Sequence, residues 1–224
     1  MPTTLILGAS RGIGLELARQ SVMARQRVIA TARRDADLAA LRELGVAQAF
    51  KLDVADPASV SGLAWQLDGE KIDTAWHVAG VMCSRADARQ PPTQPEFDRV
   101  MHTNVLGAMQ VIPQVAPLVE AARGRLGFIS SDMGRIGGTA GSNAWLYRVS
   151  KAALNMAVAS ARHSYPRALF VLFHPGWVRT DMGGAQAPVR VADSVARLRV
   201  TLASATAEDN GAFFNHDGSR LSGW

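Results

Sequence analysis

Thr3-Thr4-Leu5-Ile6-Leu7-Gly8-Ala9-Ser10-Arg11-Gly12-Ile13-Gly14 decides the fold. An apolar run ends in a turn with glycines at 8, 12 and 14, and a helical pattern through Ile13, Leu17, Ala18 and Met23 follows at once. Gly8 suits a tight turn, Gly12 lets backbone approach a pyrophosphate with no side chain in the way, and Gly14 allows close helix–strand contact. The helix start then offers unpaired N–H groups and partial positive charge to an anion. This stretch predicts a dinucleotide-binding βα unit.

The rest of the chain keeps the same rhythm. Strand signals cover Thr3–Gly8, Arg27–Thr31, Ala49–Leu52, Asp73–Val78, Arg125–Ser130, Ala168–His174 and Ala212–Asn215. Helical patterns fall between them: Asp35–Leu44 with Asp35 as its cap, a helix opened by Asp56-Pro57, one continuous stretch from Glu96 to Ala122, Leu146–His163, and Val191–Ala203. Strands alternating with helices predict an α/β fold of the Rossmann type: one doubly wound domain over residues 1–224, with a central parallel sheet of about seven strands and helices on both faces. No internal repeat or linker interrupts it.

Composition narrows the function classes. The chain has 224 residues, 48% hydrophobic and 19% charged, with a single cysteine, Cys83. One cysteine excludes a disulfide-stapled domain and a cysteine-cluster metal site, and His102, His163 and His174 have no partners at ligand spacing; no metal is expected. No segment reaches the roughly 18 uncharged apolar residues of a membrane span, and the N-terminus lacks the pattern of a signal peptide. A cytoplasmic protein is expected. Lys+Arg exceed Asp+Glu, 24 to 19, but lysine occurs at 51, 71 and 151 alone and the arginines are scattered. Nucleic-acid arms gather like charges into blocks of about five or more, so a local anionic ligand explains chosen arginines better. Arg33 stands just past the second strand, where an adenosine ribose is expected, and Arg11 in the glycine loop can approach the same point. Guanidinium groups there match the 2′-phosphate of NADP(H) rather than the free ribose hydroxyls of NAD.

Tyr147 and Lys151 sit four residues apart at the start of a helix and share one face. A nearby ammonium favours phenolate, and tuning a phenol from about 10 toward 7 needs about 4 kcal/mol. Ser130-Ser131 ends the fifth strand, and His174-Pro175-Gly176-Trp177-Val178-Arg179-Thr180-Asp181 follows the sixth, both at the carboxyl edge where α/β folds bind ligands. Asn104 lies in the helix after the fourth strand.

Together these motifs resemble the short-chain dehydrogenase/reductase family over almost the whole chain. Ser130-Ser131-Asp132-Met133-Gly134, Tyr147-Arg148-Val149-Ser150-Lys151 and the segment after the sixth strand are most similar to carbonyl reductases of the C-factor/Sniffer type. The resemblance implies that Tyr147 is the catalytic acid and base, and that Lys151 tunes it and holds the nicotinamide ribose. It implies that Ser131, rather than Ser130, bonds the substrate oxygen, although Ser131 precedes Tyr147 by sixteen positions, more than the family usually shows. Asn104 would hold a water linking Lys151 to solvent. Gly8, Ser10, Arg11, Gly12, Ile13 and Gly14 would cradle the pyrophosphate, and Asp53-Val54 would meet the adenine. Ala79 and Gly80 would floor the cleft, with Pro175, Gly176, Val178 and Thr180 bracketing the nicotinamide.

Two positions depart from the family. Leu7 replaces a threonine, and His77-Val78-Ala79-Gly80 replaces Asn-Asn-Ala-Gly; His77 is expected to substitute as a hydrogen-bonding group and Val78 is not. The implied function is NADPH-dependent reduction of a ketone or aldehyde, with a small-molecule carbonyl or alcohol as partner and a homodimer or homotetramer as assembly. The alternative is a dinucleotide-binding signalling protein of the C-factor type with little turnover.

Overall fold

Seven parallel strands form one sheet in a computed structural model that describes residues 1–224. They are β1 (Thr3–Leu7), β2 (Arg27–Ala32), β3 (Gln48–Lys51), β4 (Thr74–His77), β5 (Arg125–Ile129), β6 (Leu169–His174) and β7 (Phe213–Asn215). The order across the sheet is β3-β2-β1-β4-β5-β6-β7. Strand order therefore reverses beside β1, and the carboxyl edge between β1 and β4 is the crevice where such sheets bind ligands.

Side-chain alternation along each strand feeds two separate cores. Leu5, Leu7, Phe170 and Leu172 face one layer, made by α3 (Pro57–Ser61), α4 (Leu63–Gln66), α6 (Gly107–Ala121) and α7 (Trp145–Ala161). Ile6, Val171 and Phe173 face the other, made by α1 (Gly12–Met23), α2 (Asp35–Glu43) and α8 (Val191–Ser204). Trp76 and Phe173 pack ring to ring, 5.4 Å apart, within the second layer. Every strand expected from the sequence is present to within one or two residues at its ends. No helix is long and apolar enough to cross a membrane.

Two local expectations are corrected. Asp35 does not cap α2: Arg34 holds the extended cap position, and Asp35 lies in the first turn, where its charge complements the helix dipole. The continuous helix from Glu96 to Ala122 is interrupted. Thr93 caps α5 (Gln94–Met101) by accepting from the Glu96 N–H, and a π-turn over His102–Leu106 then precedes α6. Polar pairing overrides helical period here. Within the π-turn, Asn104 Oδ1 accepts from the Val81 N–H at 2.8 Å, and its Nδ2 donates to the Val81 carbonyl at 2.9 Å and to Ser150 Oγ at 3.0 Å. A wide turn at a ligand-facing helix is a common functional device.

Candidate active site

The glycine turn and the loop after β4 make the floor of the crevice. Gly8 has φ +93°, and a Cβ there would lie 2.9 Å from the Ala79 nitrogen. A Cβ on Gly14 would lie 2.0 Å from the Gly8 carbonyl, so α1 can start against β1 only with glycine at 14. Ala79 and Val78 in turn donate their N–H groups to the Leu7 carbonyl at 3.1 and 3.0 Å. Arg11 holds the cap position of α1 with no side-chain cap bond, which leaves the first-turn N–H groups directed at the cleft.

The cleft above this floor measures about 1130 Å³, its open mouth included. Gly8, Ser10, Arg11, Gly12 and Ile13 line its centre; Arg33, Asp53 and Val54 line one end; Ala79, Gly80, Tyr147, Lys151, Pro175 and Thr180 line the other. Gly14, Asn104, Ser131, Gly176 and Val178, also expected at the site, are set back from this lining. Ser130, passed over for Ser131 in the sequence, borders the cleft, as do Thr103, Asp181 and Met182, which were given no role. Asp181 was legible as the last residue of the segment after β6, since that whole segment folds over the glycine loop. Trp145 and Trp177 are turned to other work: their indole N–H groups donate to the Gln90 and Gly183 carbonyls.

The two arginines behave differently. Arg11 pairs with Asp181 at 3.2 Å across the mouth, both groups largely exposed, and Arg34 pairs with Asp37 at 2.6 Å. Arg33 has no carboxylate partner within salt-bridge distance. The Asp37 carboxyl is held below its ordinary range, chiefly by its hydrogen bonds from Arg34, with the charges of Arg33 and Arg11 adding to it. Arg33 is the guanidinium there that is free for a ligand.

At the other end, Tyr147 and Lys151 are both buried on α7. Lys151 Nζ donates to the Ile129 carbonyl at 3.0 Å and lies 5.6 Å from the centre of the Tyr147 ring. Ser131 Oγ accepts from the Met133 N–H at 3.2 Å and lies beside the Tyr147 phenol. Burial pushes that phenol up to about 12, with the Ser131 hydroxyl beside it working in the opposite direction. Burial likewise pushes Lys151 down to about 8. The acidified phenol expected from a neighbouring cation is thus not a property of the chain's own groups, because the ammonium sits over the ring face in a dry site rather than at the hydroxyl. The Asn104 carboxamide is fully engaged with Val81 and Ser150, and lies beside Lys151 under Gly80.

His77 overturns its expectation. Neither ring nitrogen has a hydrogen-bond partner, and the ring stacks on Phe128 at 5.9 Å. It fills the family's asparagine position as an aromatic, with no bond made. Burial, reinforced by the positive charge of Lys151, depresses its pKa from 6.5 to about 4. The folded state therefore favours neutral imidazole. Stability from this site is intact above about pH 6.5, erodes as the unfolded chain takes up its proton, and levels off below about pH 4. The slope is about 1.4 kcal/mol per pH unit, a loss of roughly 3 kcal/mol across the window. Urea melts from pH 4 to 7 are expected to flatten in His77→Leu; an unchanged slope would assign the acid sensitivity elsewhere.

The family model for short chain dehydrogenases matches residues 2–189. The 1-hydroxy-2-glutathionyl-2-methyl-3-butene dehydrogenase of Rhodococcus sp. (strain AD45) is 32% identical over 230 residues, covering 99% of each chain. Among solved structures, the carbonyl reductase Sniffer of D. melanogaster superposes with a TM-score of 0.91 at 26% identity, covering both chains completely. A short-chain dehydrogenase/reductase of Burkholderia multivorans with bound NADP gives 0.84 at 31% identity, covering 98% of each.

Proposed function

The chain belongs to the short-chain dehydrogenase family, and from that premise we propose that it is an NADP(H)-dependent reductase of ketones or aldehydes with Tyr147 as acid and base. One observation carries the reading: a single cleft has an unpaired guanidinium, Arg33, at one end and Tyr147 with Lys151 at the other, with Ser131 beside the phenol. The Burkholderia relative with bound NADP and the Sniffer carbonyl reductase support the cofactor and the reaction class.

The residues fit the cofactor. The glycine floor would meet its pyrophosphate, since side chains at 8 or 14 would collide with neighbouring backbone. Arg33, and Arg11 once released from Asp181, would hold the 2′-phosphate. When bound, the reduced nicotinamide supplies the hydride that reaches the carbonyl carbon. Ser131 Oγ would donate to the carbonyl oxygen and Tyr147 Oη would deliver the proton, completing the alcohol. A phenol held high by burial is protonated at neutral pH and so is set to donate. Lys151, kept from bulk water, would hold the ribose hydroxyls and steady the phenolate left behind.

The test is NADPH oxidation followed at 340 nm with a panel of apolar ketones, aldehydes and a glutathionyl aldehyde, the last because of the Rhodococcus relative. Turnover of at least one class is expected. Tight NADPH binding with no turnover across the panel would replace this reading with the signalling one.

A further inference from the structure

Resting on that reductase reading, we propose that Asn155 is a positioning residue: it fixes the Ser131 hydroxyl against Tyr147 by tying both ends of the turn that carries Ser131 to α7. Asn155 follows Tyr147 and Lys151 at successive four-residue steps, so the three side chains share one helix face. Ser130 Oγ donates to Asn155 Oδ1 at 2.5 Å, and Asn155 Nδ2 donates to the Gly134 carbonyl at 3.3 Å. The carbonyl can only accept, so the amide orientation is fixed and its oxygen is left for the Ser130 hydroxyl. Ser130 precedes Ser131, and Gly134 closes the 3-10 turn Asp132–Gly134 that Ser131 caps. Both anchors of the turn therefore end on one carboxamide.

The brace is dry and tight. Ser130 is 1% exposed and Asn155 2%. A Cβ at Gly134 would lie 2.8 Å from the Lys151 backbone carbon, so the turn rests directly on the helix beside Lys151. Tyr147 and Ser130 border the cleft, whereas Ser131 and Asn155 are set back from its lining. Asn155 thus acts through Ser131 and touches neither substrate nor cofactor. The pair also explains why two adjacent serines end β5. Ser130 is occupied by Asn155, which leaves Ser131 for the substrate oxygen.

Geometry of this kind is costly to disturb, since displacement of about 1 Å at a reacting group can lower rates by about 10²-fold. Asn155→Leu, which keeps the branched four-heavy-atom skeleton and removes both hydrogen bonds, is expected to lower kcat/KM for the carbonyl substrate about tenfold, with the NADPH Kd within twofold of wild type. Ser130→Ala, a smaller change that keeps the fold if Asn155→Leu does not, is expected to lose about threefold. In a Ser131→Ala background neither substitution is expected to reduce the rate further, because the effect passes through Ser131. The acid limb of alcohol oxidation with NADP+ is expected to move to higher pH in both Asn155→Leu and Ser131→Ala, with Lys151 and Cys83, the other titratable groups near the phenol, unchanged. Additive losses in the double variant, or an unmoved limb, would make Asn155 merely structural and overturn the proposal. A wild-type enzyme that Tyr147→Phe leaves equally active would instead overturn the reductase reading beneath it.

Discussion

Tyr147→Phe is expected to lower kcat for carbonyl reduction by about 10³-fold while changing the NADPH Kd less than twofold. The size follows from the role: a positioned proton donor contributes about 10² to 10⁴ in rate, and phenylalanine keeps the ring while removing the only atom that transfers. The selectivity follows from the structure. Tyr147 is 7% exposed and packs with Val100, Ala144 and Leu146, contacts that survive the loss of the hydroxyl. Lys151 keeps its bond to the Ile129 carbonyl, so the cleft is not reshaped. Removing the hydroxyl leaves Ser131 held by its bond from the Met133 N–H. Stopped-flow rates with fluorescence-monitored NADPH binding separate the two quantities. A variant that reduces its substrate at near wild-type rate would remove Tyr147 from the chemistry, and with it the mechanism.

The same residues show where sequence was sufficient. The glycine turn was legible because Gly8 and Gly14 are demanded by backbone collisions, which depend on spacing alone. The strands were legible because burial on both faces leaves continuous apolar runs such as Leu169–Phe173. What sequence could not supply was pairing across elements. His77 was read as a hydrogen-bonding substitute from its chemistry; whether a partner faces it depends on the neighbouring strand, where Phe128 offers only a ring. The π-turn at His102–Leu106 was invisible to helical period because its cause, the Val81 backbone, lies 23 residues away in the chain. Likewise Arg11 was assigned to a phosphate without its partner Asp181, 170 residues distant. The direction of the Tyr147 shift failed for a related reason. Spacing to Lys151 is local, but the desolvation that outweighs it is a property of the packed cleft.

Arg33→Ala is expected to raise the NADPH Kd about 30-fold and leave the NADH Kd within about twofold, with Arg33→Asp carrying the preference further toward NADH. A charge-assisted hydrogen bond from guanidinium to phosphate is worth about 1.5–3 kcal/mol, or roughly 10- to 100-fold in affinity. Arg33 is exposed, so the upper end is trimmed by solvent and salt, and the NADPH Kd is expected to rise with ionic strength more steeply than that for NADH. Arg11 provides the internal contrast. Its guanidinium is shared with Asp181 at 3.2 Å, so binding a phosphate first requires giving up an exposed ion pair of little worth. Arg11→Ala is therefore expected to cost less than Arg33→Ala, and Asp181→Asn, which frees Arg11, is expected to tighten NADPH slightly. Titrations of both cofactors against these variants decide the matter. Equal weakening of NADPH and NADH by Arg33→Ala would mean that the guanidinium supports the fold of the cleft rather than reading the 2′-phosphate, and the basis for choosing NADP(H) over NAD(H) would be lost.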